Sequence, residues 1–189
     1  MAQKDIYHEK QCKQLCALHT LNNLFQSGQA FSKGDLDRLC EHLSPHSWVN
    51  PHRSILGIGN YDVNILIAAL QQKDYDMKWW DKRRSAAEIP LATTFGLILN
   101  TSSPSRIATV TLPFKSKHWI AIRSFDGVYY NLDSKLASPS LIGEPSRLLD
   151  FLKRYLDRDD SELFLVTKAS VESTVASPLA KVEDHTEQI

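Results

Sequence analysis

The amino-acid sequence predicts an α+β fold. Helical apolar periodicity fills its first part, and β-type runs around an Asp-Gly turn fill its second, with little interleaving of the two. A doubly wound sheet would alternate the patterns along the chain. The 189 residues, 42% of them hydrophobic, match one domain of roughly 100–200 residues with a sizeable core.

Residues 15–25 are the first expected helix. Leu18, Leu21 and Phe25 recur at helical spacing with Leu24 beside them, and Gly28 follows as a stop signal. Ser32 opens a second helix, with Asp35 placed as a weak form of the capping box. Leu36, Leu39, Cys40 and Leu43 form its apolar stripe, and Pro45 ends it. Residues 44–61 hold prolines and glycines and read as a loop. A third helix over 62–72 carries Val63, Leu66, Ile67 and Leu70 on one side.

The period then changes. Residues 77–80 read as a short aromatic strand, and the apolar run 96–99 as a buried one. Residues 100–113 are Ser/Thr/Pro-rich and read as a connection, with a short strand around 108–112. Runs 119–125 and 128–132 flank Asp126-Gly127, and such a pair suits a type I′ turn, which needs positive φ at both positions. A last helix over 146–156 is expected to turn Leu149, Leu152 and Leu156 inward, and residues 162–167 form a final strand. The domain is expected to span residues 6–168, with 169–189 a polar, loosely ordered tail.

Charge narrows the function classes. Twenty-two Lys and Arg balance 22 Asp and Glu, and the densest basic run is Lys82-Arg83-Arg84. Nucleic-acid binding through phosphates needs a basic surplus, so no nucleic-acid partner is expected. No apolar run approaches the roughly 20 residues of a membrane-spanning helix. The N-terminus lacks the apolar stretch of a secretory signal. Three cysteines and no export signal argue against a disulfide framework and for a reducing, cytoplasmic setting.

Cys16 opens the first predicted helix, where unpaired N–H groups and the helix dipole favour a thiolate. The competing reading is a small buried apolar residue, and for Cys40, inside an apolar stripe, that reading wins. His118 directly precedes the strand 119–125, and Asp133 follows the partner strand. An antiparallel hairpin brings the two to the same end, away from the turn. A carboxylate there orients the imidazole and favours its protonated form. The bland alternative is a surface histidine and a turn-forming aspartate. Gln11, on the lead-in to the helix, supplies a side-chain amide suited to an oxyanion hole. His19 is either a second base for Cys16 or a residue that packs or hydrogen-bonds within the helix. Cys12, Cys16 and His19, with Cys40 or His42, offer a zinc reading, but only one closely spaced cysteine pair is present, so no metal is expected.

Residues 6–25, IYHEKQCKQLCALHTLNNLF, resemble the opening of a Josephin domain. Residues 117–123, KHWIAIR, and 129–134, YYNLDS, resemble its histidine and orienting segments, in the same order along the chain. GIGNYDV at 57–63 and WWDKRR at 79–84 further resemble the short, stand-alone members of that family. The resemblance implies a papain-like cysteine protease fold acting on ubiquitin linkages. It makes Cys16 the nucleophile, His118 the general base and acid, Asp133 the orienter and Gln11 the oxyanion donor. No metal or organic cofactor is implied, and the implied partners are ubiquitin, ubiquitinated proteins or polyubiquitin chains; separately, a monomer is expected. The second helix, the loop 44–61 and the third helix would form an arm over the groove, with Val63 and Asn64 where relatives contact ubiquitin. Asp133 stands where some relatives carry Asn, and Cys12 also departs from the family pattern. A ubiquitin-binding module of the same fold with little turnover, and a small-molecule amidase, are the alternatives from other classes.

Overall fold

A helix buried on every side organises the molecule, and the strands form around it. The structure, a computed structural model, describes residues 5–12, 15–44, 61–107 and 110–170, with only the backbone described over 103–107 and 110–116. Helix α1, Cys16–Phe25, buries every residue from Cys16 to Leu24. The expected one-sided stripe is therefore a helix enclosed all round, and its polar residues have to find partners. Asn22 Oδ1 accepts the Phe31 N–H at 3.0 Å and Asn22 Nδ2 donates to the Phe31 carbonyl at 3.2 Å. Asn23 Oδ1 accepts the Glu9 N–H at 2.6 Å, and Asn23 Nδ2 donates to the Leu132 carbonyl at 3.0 Å. These two asparagines staple three separate segments to the helix. Its C-terminal turn closes on Gln26 in the left-handed region (φ 57°), before the expected stop at Gly28.

Helix α2, Lys33–Leu43, begins with a complete capping box: the Asp35 N–H donates to Ser32 Oγ, and the Ser32 N–H donates to Asp35 Oδ2 at 2.7 Å. Leu36, Leu39 and Cys40 are buried, but Leu43, expected on the same stripe, is 46% exposed at the final turn. Helix α3, Val63–Gln71, is capped by Asp62, whose Oδ1 accepts the Asn64 and Ile65 N–H groups. Most of the expected loop 44–61 lies outside the described residues, as do residues 171–189 of the expected tail.

The strands are β1 (Tyr75–Trp80), β2 (Thr94–Ile107), β3 (Val110–Phe125), β4 (Val128–Asn131), β5 (Ser140–Gly143) and β6 (Ser161–Lys168), with helix α4, Pro145–Leu156, between the last two. They form one antiparallel sheet in the order β1-β6-β2-β3-β4-β5. Asp126 and Gly127 turn the β3–β4 hairpin with φ of 53° and 82°, as a type I′ turn requires. Ile98, Trp119, Ala121 and Phe164 pack with α1 and α3. Their strand neighbours Leu97, Leu99, Ile120, Ile122, Leu163 and Leu165 pack with Leu148, Leu152 and Leu156 of α4. Alternate residues thus enter different cores, which explains why the run 96–99 is apolar without alternation. Helices on both faces of an antiparallel sheet give the α+β, papain-like arrangement.

Some expectations need correction. The supposed connection 100–113 belongs to two long strands: β2 pairs with β3 from Asn100↔Trp119 to Ile107↔Val110. Cross-strand pairing holds this arm despite its polar composition, and the register shifts between Pro104 and Arg106, next to a residue that cannot donate to the ladder. The short strand placed at 108–112 is the start of β3, with 108–109 outside the described residues. In α4 the inward set is Leu148, Leu152 and Leu156, and Leu149 lies at its margin. The edge strand β5 and the 3₁₀ turn Ala86–Glu88 carry no periodicity long enough to announce them.

Gly96 shows how closely α1 lies on the sheet. A Cβ there would meet Leu24 Cδ1 at 2.6 Å, Arg123 Cδ at 2.9 Å and the Ile122 carbonyl at 3.1 Å. Gly96→Ala is expected to destabilise the fold by about 1–3 kcal/mol through overpacking, read as a fall of several degrees in Tm. An unchanged Tm would mean that α1 can move off the sheet freely. No helix among the described residues is long and apolar enough to cross a membrane.

Candidate active site

Cys16 is the first residue of α1 and is 4% exposed. The N-cap is Leu15, whose side chain cannot accept a hydrogen bond, so the first turn carries no side-chain cap. A helix start of this kind directs backbone N–H groups and the positive end of the dipole at whatever anion sits there.

The imidazole comes from β3. His118 pairs with Thr101 of β2 and is 3% exposed, so its backbone is fixed by the middle of the sheet. Beyond β4 the ladder continues by one bond, Leu132 N–H to the Ala121 carbonyl at 2.8 Å, and this delivers Asp133 to the same place. His118 Nε2 lies 2.7 Å from Asp133 Oδ1. Asp133 is itself held: its N–H donates to Asn131 Oδ1 at 3.0 Å, and its Oδ1 accepts the Lys135 N–H at 2.8 Å. With Nε2 on Asp133, Nδ1 is the ring nitrogen left for Cys16, whose nearness is one of the influences that raise the His118 pKa.

The electrostatics follow from these contacts. Burial pushes the His118 pKa down, but hydrogen bonds from the ring to Asp133 and Cys16, with the charges of both, push it up further, so the net direction is upward. Burial raises the Asp133 carboxyl, while the bond and charge of His118 and the Lys135 N–H lower it, and the net direction is down. Both shifts favour an imidazolium beside a carboxylate.

The lead-in segment closes one side of the site. His8 Nε2–H donates to the Asp133 carbonyl at 3.1 Å, and the Gln11 N–H donates to the Ser134 carbonyl at 2.7 Å. Gln11 thus lies between the start of α1 and the Asp133–Ser134 corner. Cys16, His118 and Asp133 come together from two remote parts of the chain, the first helix and the β3–β4 hairpin, and the backbone of Gln11 is held at Ser134, next to Asp133. Val63 and Asn64 stand apart in the first turn of α3, just past Tyr61, whose carbonyl accepts the Trp119 Nε1–H at 3.0 Å. That bond ties the root of α3 to the residue next to His118.

His19 bonds outside its own helix: Nδ1 is 2.7 Å from Glu9 Oε2, and Nε2 accepts the Cys12 N–H at 3.1 Å. Both ring nitrogens are engaged, so His19 is not placed as a base for Cys16. Cys12 is exposed and Cys40 is buried in the α2 core. Among the described residues, no group of three His, Cys, Asp or Glu is placed to hold a metal ion. Glu9 is the functional candidate that reading the sequence passed over; its only signal was a carboxylate near a helical histidine.

A thiol at a helix start, an imidazole on the central sheet and a carboxylate behind it, in a papain-like α+β frame, define the class. The chain belongs to the Josephin family, whose model matches residues 11–167. A Josephin-like protein of Drosophila melanogaster is 48% identical over 162 residues, covering 85% of this chain and 73% of that protein. Josephin-2 of Homo sapiens is 46% identical over 167 residues, covering 88% of each. An Ataxin-3-like protein of Homo sapiens is 30% identical over 176 residues, covering 85% of this chain and 46% of that protein.

Proposed function

We propose that the chain is a deubiquitinating cysteine peptidase, with Cys16 as nucleophile, His118 as base and acid, and Asp133 as orienter. The observation that carries this reading is the 2.7 Å His118–Asp133 bond beside a cysteine at an uncapped helix start. Membership of the Josephin family supports ubiquitin as the substrate class, with its C-terminus as the point of attack.

The resting state is a Cys16 thiolate paired with a His118 imidazolium, stabilised by the helix start on one side and Asp133 on the other. The thiolate attacks the carbonyl carbon of ubiquitin's terminal glycine. The Gln11 amide and the first-turn N–H groups of α1 receive the developing oxyanion. His118 Nδ1–H protonates the departing amine, leaving a thioester on Cys16 and a neutral ring. The ring then takes a proton from water, hydroxide attacks the thioester, and the Cys16 thiolate leaves with ubiquitin's carboxylate free. Val63 and Asn64 contact ubiquitin on the side of α3.

Ubiquitin carrying a C-terminal electrophile tests the reading. A covalent adduct at Cys16, absent in Cys16→Ala, is expected. Reversible binding without an adduct would make the chain a ubiquitin-binding module, and absence of any binding would point to an amidase.

A further inference from the structure

The site contains a second carboxylate–imidazole pair that the mechanism above does not use. His19 follows Cys16 by one helical turn and is 9% exposed. Its Nε2 accepts a backbone N–H, that of Cys12, at 3.1 Å, so Nε2 holds a lone pair and the ring is neutral with its proton on Nδ1. That proton is directed at Glu9 Oε2, 2.7 Å away. Glu9 is held in turn. Its Oε1 accepts the Tyr7 hydroxyl at 2.5 Å and Asn22 Nδ2 at 3.1 Å, and its backbone N–H is held by Asn23. Burial first, and then the hydrogen bond and charge of the Glu9 carboxylate, push the Tyr7 pKa up to about 12.

Two successive backbone N–H groups are therefore pinned to different elements. The Gln11 N–H goes to Ser134, beside Asp133, and the Cys12 N–H goes to His19, on the helix that begins with Cys16. The Gln11 α-carbon lies between these pins, so its backbone torsions are set by the elements that carry the nucleophile and the orienter. We infer that Glu9 and His19 are positioning residues that fix the Gln11–Cys12 peptide, and through it the Gln11 amide, where the oxyanion forms. This inference rests on the peptidase reading. Glu9 selects the Nδ1–H tautomer, and that tautomer leaves Nε2 free to accept, so the two residues act as a unit. Oxyanion donors work by being placed in advance, and a displacement near 1 Å can cost as much as about 100-fold in rate.

The test uses the full chain. His19→Leu is expected to lower kcat for a ubiquitin substrate about 10–100-fold with little change in KM, because the lost contact matters only in the transition state. His19→Gln, whose side-chain oxygen can accept the Cys12 N–H, is expected to recover most of that loss. Because His19 acts through Gln11, adding His19→Leu to Gln11→Ala should lower kcat no further. Long-range ¹⁵N spectra should show His19 of the unsubstituted chain protonated on Nδ1 alone, with the Cys12 amide slow to exchange. Multiplying effects in the double variant, an unchanged kcat in folded His19→Leu, or a proton on Nε2 would each overturn the inference. If the unsubstituted chain is not captured by the ubiquitin electrophile, the peptidase reading fails, and the ring spectrum and Cys12 exchange still decide whether the clamp exists. Should His19→Leu not fold, Glu9→Gln replaces it, with the same loss of kcat expected.

Discussion

Asp133→Asn is expected to keep readily measurable ubiquitin cleavage, about 10–100-fold below the unsubstituted chain, while Cys16→Ala and His118→Ala show none. In a serine triad the base starts neutral, and an Asn orienter selects the wrong tautomer at a cost of about 10⁴ in kcat. A Cys16–His118 ion pair starts with both ring nitrogens protonated, so the orienter has only to accept a hydrogen bond. The geometry here suits an amide well. A single atom, Asp133 Oδ1, accepts from both His118 Nε2 and the Lys135 N–H, so one Asn carbonyl oxygen can receive both. What Asn lacks is the negative charge that helps hold the His118 pKa up. A fall of one or two pKa units, at roughly 1.4 kcal/mol each, sets the 10–100-fold figure. The sign for pH follows: an imidazolium with a lower pKa deprotonates sooner, so the alkaline limb of the rate profile moves to lower pH. Asp133→Ala, with no acceptor, should be worse than Asn. Asp133→Asn as inactive as Cys16→Ala, yet folded, would rule out the ion-pair account, and full activity in Asp133→Ala would remove Asp133 from the site.

Asn23→Ala is expected to lower stability by about 3 kcal/mol, or Tm by about 6–12 °C for a domain of this size. Asn23 is fully buried, and its two ends hold the Glu9 N–H and the Leu132 carbonyl. Truncation strands both of those backbone groups, and an unsatisfied buried group costs about 1–3 kcal/mol. Activity of the folded fraction should fall too, because Leu132 precedes Asp133 and Glu9 orients His19. Asn23→Asp keeps the acceptor for the Glu9 N–H but loses the donor to Leu132 and buries a charge, so it should be no better. Thermal unfolding followed by circular dichroism reads the first effect, and a loss under 1 kcal/mol would mean that the lead-in segment is tied down elsewhere.

The helices and the β3–β4 hairpin were legible because each is written locally, in a period of about 3.6 or in a turn pair such as Asp126-Gly127. The proximity of His118 and Asp133 was legible for the same reason: one hairpin carries both. The arm over residues 100–113 was not, since its strands are held by each other and no apolar alternation marks them. Neither was the full enclosure of α1, because Asn22 and Asn23 look like surface residues until their remote partners are known. His19 shows the same limit. Its position on the helix was plain, but Glu9 and the Cys12 N–H reach it only through the folded path of the lead-in segment.

The last described strand along the chain is not the last in the sheet: β6 lies between β1 and β2. Folding therefore cannot proceed by adding strands in the order they are synthesised. Until residues 161–168 have emerged from the ribosome, β1 has no hydrogen-bonding partner in the sheet and the long strand β2 presents an open edge. Closure must await a segment far downstream, a non-local step of the kind that slows folding. A nascent or truncated chain already contains Cys16, His118 and Asp133, but it lacks the strand that completes the middle of their scaffold. Assembly of the candidate site thus becomes a late event in biogenesis, and chains cut short before β6 expose sticky edges where the folded chain has a continuous sheet.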